Sequence, residues 1–215
     1  MAAKKRSDEA LKAAVLERAL GHAAADGFSD AVLARAAKEE GVGAEMLLHL
    51  FPAGSASLVE CFSQACDAQM EQRLAKQNLS EMKIRARIAA AVLARLAALK
   101  PHKEAARRAS AFLMLPMNAA LGLKLLYQSV DAMWRAAGDT STDFNFYTKR
   151  AILAGVYSAT LMRWFNDPGE DESETHAFLD ARIENVMQFE KFKAGLRERT
   201  KGWPSFADIV SARRP

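Results

Sequence analysis

The sequence predicts an all-α protein, and three observations predict it. Ala, Leu, Met, Lys, Arg and Glu, the residues that lose least on entering a helix, dominate the chain. Apolar residues recur at three- and four-residue spacing almost throughout, and no segment sustains the two-residue alternation of a half-buried strand. The chain has 215 residues, of which 50% are hydrophobic and 26% charged. That composition excludes a disordered chain and a disulfide scaffold. At this length, folding buries roughly 70% of the unfolded surface in one large domain or two small ones.

The elements follow in order. A first helix runs from about Asp8 to Ala25, with Leu11, Val15, Leu16, Ala19 and Leu20 on one stripe, and Asp26-Gly27-Phe28 ends it. Ser29 or Asp30 caps a short second helix that ends near Glu40, and Gly41-Val42-Gly43 leads to a third that reaches about Leu50. Pro52 and Gly54 close this head, assigned to residues 1–56. Ser57 to Asn78 forms a longer helix, and Ser80 caps the next, which reaches Lys100 before Pro101 breaks it. Pro116 interrupts the following stretch. A helix from about Asn118 to Ala137 ends at Gly138, and the loop 139–142 leads to one from Asp143 to Asn166. Pro168-Gly169 and the acidic run Glu170 to Glu174 read as a solvated turn before a last long helix, Thr175 to Thr200. Residues 57–200 thus form a helical body. Gly202-Trp203-Pro204 separates it from a tail, 201–215, with a short terminal helix from Ser205 to Ala212.

Three short helices joined by a Gly-Phe corner and a Gly-Val-Gly turn describe a helix-turn-helix. The stretch Ala23-Ala24-Ala25-Asp26-Gly27-Phe28 through Gly41-Val42-Gly43 to Leu47-Leu48-His49-Leu50-Phe51-Pro52 resembles the amino-terminal domain of tetracycline-repressor-type regulators. The third helix lacks the chemistry for reading a duplex. Where such regulators place Ser, Lys, Thr and Tyr, this chain has Gly43, Ala44, Met46 and Leu48, and Glu45 adds a negative charge. Between Phe28 and Glu60, Arg35 and Lys38 face Asp30, Glu39, Glu40, Glu45 and Glu60. Affinity for nucleic acid comes largely from neutralised phosphates, so the expectation is a retained fold that has lost DNA binding.

Charge and cysteine usage narrow the classes further. The net charge of +4 sits at one end: from Lys191 onward, seven basic residues face Glu198 and Asp208. No apolar run reaches the roughly 18 residues of a membrane span, and Met1 to Arg6 leads directly into charged sequence, so neither a span nor a secretory leader is expected. Cys61 and Cys66 are the only cysteines, and on a helix they lie about 140° apart. They make neither a bridge nor a metal pair, which suits a reducing compartment. His22, His49, His102 and His176 are scattered, and the sequence carries no metal-ligand spacing, glycine-rich phosphate loop or nucleophile elbow. No catalytic residue, metal or cofactor is expected. Arg85 and Arg87 read as a solvated face.

The segments Met82-Lys83-Ile84-Arg85, His102-Lys103-Glu104-Ala105, Leu121 to Tyr127 and Val130-Asp131-Ala132-Met133-Trp134 carry a second resemblance. It continues through Ala137-Gly138-Asp139, Ser141 to Arg150 and Phe178-Leu179-Asp180-Ala181-Arg182-Ile183. Over about residues 8 to 200 the chain resembles the coenzyme Q nine family of ubiquinone-biosynthesis accessory proteins, in a bacterial form without a mitochondrial presequence. Gly-Asp-x-Ser-Thr-Asp at 138–143 is the most specific part. The resemblance implies a tetracycline-repressor-like fold, a helix-turn-helix head on a carboxy-terminal ligand-binding and dimerisation bundle. It implies a non-catalytic homodimer on the inner face of the cytoplasmic membrane. Such a protein would bind an isoprenoid lipid or quinone precursor and present it to demethoxyubiquinone hydroxylase. By the same resemblance, the last two long helices form the dimer's four-helix interface.

Three sets of residues fit that role. Asp143, Phe146, Tyr147 and Arg150 share one helical stripe, two aromatics with an ion pair, and join Met133 and Trp134 as candidate partner-binding residues. Read from spacing alone, Asp143 as an N-cap, Phe146 as core and Arg150 paired within its helix is the alternative. Members of the family often have Trp where Phe146 stands. Phe112, Leu113, Met114, Met117, Leu121 and Leu125, with Met133 and Trp134, are candidates to line an apolar lipid cavity, opened where Pro116 breaks the helix. Trp203, Phe206, Ile209 and Val210, with Arg213 and Arg214, are candidates for membrane contact. A transcriptional regulator that senses a lipid is the second reading.

Overall fold

The computed structural model describes the backbone of residues 7–140 and 144–200, and the side chains of these except 144, 145 and 189–200. Among the described residues there are nine α-helices and three single 3-10 turns, and no strand. Helices α1 (Asp8–Asp26), α2 (Asp30–Glu39) and α3 (Ala44–Leu50) form the head. Ser7 caps α1 and Ser29 caps α2, each hydroxyl accepting from an amide in the first turn, Ala10 and Val32.

The body consists of α4 (Ser55–Leu74), α5 (Ile84–Leu99), α6 (Lys103–Met114), α7 (Ala119–Ala136), α8 (Phe144–Phe165) and α9 (Ser173–Thr200). Helix α4 packs against α5 and α7, α7 against α8, and α8 against α9, while α1 lies along α6. The boundary expected after residue 56 falls in the first turn of α4. Head and body share one buried cluster: Phe28 stacks on Phe62 and meets Phe112, both ring pairs at 6.4 Å.

Both proline breaks fall where the sequence places them. Pro101 ends α5 through the turn Lys100–His102, and Pro116 opens the turn Pro116–Asn118 between α6 and α7. Three expectations are corrected. Ser80 does not cap α5; it lies in the 3-10 turn Leu79–Glu81 with its hydroxyl donating to Asn78, because α4 stops at Leu74 and α5 waits until Ile84. Arg87 is not solvated, since it donates to the Met82, Ser80 and Ala137 carbonyls and ties this loop to the end of α7.

The acidic run 170–174 is likewise not a free turn. Glu172 accepts from the buried Trp164 indole at 2.8 Å and pairs with Lys100 at 3.2 Å, and α9 has begun by Ser173. Asp167 accepts from the Thr175 hydroxyl and amide and from the Gly169 amide, contacts led by the hydroxyl that hold its carboxyl below the usual range. Lys103 and Arg107 donate to the Asp167 and Phe165 carbonyls, so cations from α6 complete the carboxyl end of α8.

The corner between head and body depends on Gly54. Its φ is +57°, and a Cβ there would lie 2.4 Å from Asp30 Oδ1, the oxygen that accepts from the Ser55 amide at 2.7 Å. Gly54→Ala is therefore expected to destabilise the fold by more than about 1 kcal/mol, read as a lowered urea midpoint at unchanged slope. An unchanged midpoint would contradict this account of the corner.

Candidate ligand cavity and docking corner

A cavity of about 560 Å³ opens among α4, α5, α6, α7 and α8. That is within the range of small-molecule sites, roughly 300 to 1,000 Å³. Its wall is mostly apolar: Val59 and Phe62 from α4, Leu99 from α5, Leu113 from α6, Leu125 and Leu126 from α7, Leu161 and Phe165 from α8. Small residues make the room. Ala106 and Ala109 are among the residues that α6 turns toward it, and at Gly122 a Cβ would stand 3.1 Å from the Leu113 carbonyl, so glycine lets α7 approach α6. Met114, Leu123 and Met162 line the cavity and are also exposed, which marks its mouth.

The opposite end is polar and buried. Arg95, 5% exposed, donates through Nε to Asp67 at 2.7 Å, through Nη1 to the Tyr157 hydroxyl oxygen at 2.5 Å, and through Nη2 to Ser63 and Ser129. Ser129 in turn donates to the second Asp67 oxygen at 3.0 Å. Burial works against the Arg95 charge, but the Tyr157 oxygen and the Asp67 carboxylate outweigh it and hold its pKa above the ordinary value. Burial also pushes the Tyr157 phenol up to about 12, and the Cys66 thiol nearby up to about 11, so both keep their protons at neutral pH.

A second cluster joins the end of α7 to the start of α8. Arg150 is 4% exposed. Its guanidinium donates to Asp131 at 2.7 Å and Asp139 at 3.2 Å, and lies 3.4 Å from the centre of the Phe146 ring. Lys149 bonds Asp139 at 2.9 Å and sits over the Trp134 ring, whose indole donates to the Lys149 carbonyl. Tyr147, edge-on to Phe146, is 66% exposed.

Residues 119–190, which supply α7, α8 and their junction, match the COQ9 family model. Over 84% of its length the chain is 35% identical to the mitochondrial ubiquinone biosynthesis protein COQ9 of Rattus norvegicus and 34% identical to that of Homo sapiens. The chain resembles the COQ9 family over most of its length. It spans 60% of the rat and 59% of the human COQ9 protein. The fold is that of tetracycline-repressor-type proteins: a TetR transcriptional regulator from Nitrosomonas europaea superposes with a TM-score of 0.68 at 17% identity, over 83% of this chain and 98% of that one.

Against this COQ9 frame, the candidate residues fall in three groups. Of the six candidates for lipid lining, Leu113, Met114 and Leu125 line the cavity. Phe112, about 100° round the helix from Leu113, packs on Phe28 instead; Leu121 packs against the core; Met117, in the turn after Pro116, is 81% exposed. Met133 is fully buried in the core and Trp134 partly buried at the α7–α8 junction, so neither lines the cavity. Of the described partner-binding candidates, Tyr147 is the exposed one. Arg150 faces inward, where Asp131 of α7 and Asp139 of the following loop accept from its guanidinium and the Phe146 ring packs on it. Asp143 and the tail residues Trp203, Phe206, Ile209, Val210, Arg213 and Arg214 lie outside the described residues.

Pattern reading overlooked the polar end of the cavity. The available signal was Arg95 itself, the one charged residue in the otherwise apolar stretch between Ile88 and Leu99. Among the described residues no three His, Cys, Asp or Glu side chains gather as a metal site requires, and no single helix is long and apolar enough to cross a membrane.

Tyr157 gives the cavity a pH signature. Between its ordinary pKa of 10 and about 12 the folded chain keeps a proton that the unfolded chain has released. Stability is therefore expected to fall as pH rises through that window. Tyr157→Phe should flatten the fall, measured as urea midpoints from pH 9 to 12; an equally steep fall in the variant would contradict the assignment.

Proposed function

We propose that this COQ9-like chain acts in ubiquinone biosynthesis as a non-catalytic accessory protein. It binds a polyprenyl quinone intermediate at the membrane and presents it to demethoxyubiquinone hydroxylase. The observation that carries this reading is the cavity, apolar along its wall and open at Met114, Leu123 and Met162. An apolar tail longer than the cavity can leave through that mouth toward a bilayer. Flexible methionines at the rim suit a ligand without fixed shape.

The exposed Tyr147, held edge-on by Phe146 over the Arg150 cluster, is the anchor proposed for the hydroxylase. Aromatic side chains on a rigid base are what interface hot spots are made of. In this reading the chain works as a homodimer through α8 and α9, and the basic tail adds a reversible membrane contact.

The TetR fold favours a second reading, a lipid-sensing regulator. The exposed face of α3 argues against it: Ala44, Glu45, Leu48 and His49 offer a duplex no fixed positive charge. A gel shift that weakens steeply with salt would be the mark of that alternative.

The test is complementation in cells lacking their own COQ9-family protein, with ubiquinone and its precursors quantified. The chain is expected to restore ubiquinone. Tyr147→Ala should fail to restore it, and to retain the hydroxylase in a pull-down, while its melting temperature stays that of the parent. Arg150→Ala should instead lose about 1 to 3 kcal/mol of stability, because it removes the buried cation that joins Asp131 to Asp139, although Arg135 and Lys149 still pair with those carboxylates. Full complementation by Tyr147→Ala would contradict the docking role, and no restoration by the parent chain would contradict the function.

A further inference from the structure

The polar end of the cavity has a surplus of donors. Arg95 Nη1 can only donate, so the Tyr157 oxygen accepts from it. The phenolic proton then has no acceptor among the described residues, although Tyr157 is 4% exposed and lines the cavity. Ser63 also accepts from Arg95, which leaves its hydroxyl proton unassigned at the same wall. Arg95 carries five N–H groups, and the four contacts it makes leave one on Nη1. A buried donor without an acceptor costs about 1 to 3 kcal/mol, so the two on Arg95 and Tyr157, beside the half-buried Ser63 hydroxyl, call for an oxygen from outside the chain.

Charge decides what kind of oxygen it is. The Arg95 cation is already balanced by the Asp67 carboxylate at 2.7 Å, itself held by Ser129. An anionic head group would bring a second negative charge into a buried site whose positive charge is matched, and such a charge is costly to bury unpaired. A neutral acceptor has no such cost. A carbonyl oxygen, with two lone pairs and no proton, can take the Tyr157 hydroxyl together with a second of these donors.

Direction follows from exposure. The donors sit where Arg95, Ser129 and Tyr157 are buried, and the far end is the exposed rim of Met114, Leu123 and Met162. We infer that Tyr157, Arg95 and Ser63 form a head-group site that accepts a neutral carbonyl oxygen, of the kind a quinone or an ester carries, with the ligand's apolar tail directed out past Met114. The inference rests on reading the cavity as a lipid site and specifies the head group that site selects.

The test titrates the full-length protein, purified without detergent, with three probes that share a ten-carbon tail: decylubiquinone, decylbenzene and decanoate. Decylubiquinone should bind most tightly, and its carbonyl stretch should move to lower frequency in the infrared when bound. Tyr157→Phe should weaken decylubiquinone roughly tenfold, equivalent to about 1.4 kcal/mol, and leave decylbenzene unchanged. The infrared shift on the parent protein is read without any variant, so it stands even where Tyr157→Phe folds poorly. Decylbenzene or decanoate binding as tightly as the quinone, or an unshifted carbonyl, would overturn the head-group site and leave the lipid cavity in place. Binding of none of the three would overturn the lipid reading itself, and the head-group site with it.

Discussion

The arrangement of the body depends on one buried cation. Arg95 projects from α5 into the space between three other helices and bonds each of them: α4 through Asp67 and Ser63, α7 through Ser129, and α8 through Tyr157. A guanidinium taken out of water is tolerated only where its donors are met. Four helices must therefore hold their relative positions for its contacts to exist together. The cavity is the space those helices enclose on the other side of this junction. Its size owes as much to the small residues Ala106, Ala109 and Gly122 as to the large ones around it.

A second polar junction does the corresponding work two residues further along α7, at Asp131. Arg150 binds Asp131 and Asp139 and fixes the start of α8 against the end of α7. The two junctions hold the same helix pair at two heights, with Tyr147 exposed just beyond one and Tyr157 buried within the other. A ligand that engages Tyr157 and a partner that engages Tyr147 would thus touch one rigid element, α8, about 15 Å apart along its axis. That continuity is the physical basis for treating lipid binding and docking as parts of one function.

Much of this was legible in the sequence. Helix spacing located eight of the nine described helices, α6 being read only as the stretch that Pro116 interrupts, and proline chemistry placed both breaks in the body. Capping logic succeeded at Ser29 and failed at Ser80, since a serine after a polar loop serves a 3-10 turn as readily as a helix start. The cavity was half legible. Alternate faces of one short helix separate Leu113 from Phe112, and periodicity alone does not say which face meets the cavity. Arg150 was read as part of an ion pair on its own helical stripe, because spacing within one helix carries no sign of Asp131 and Asp139 on other elements. Tyr157, Ser129 and Ser63 are unremarkable in sequence and acquire meaning only when Arg95 brings them together.

The central claim is that the cavity carries a prenylated quinone precursor, and organic extraction of protein purified without detergent tests it most directly. The released lipids would be identified by mass spectrometry against a control protein from the same cells. The account predicts clear enrichment of a prenylated quinone precursor, lost when Ala109 in the cavity wall is replaced by a bulky residue that fills the cavity. Recovery of phospholipid alone, or of no lipid, would contradict it.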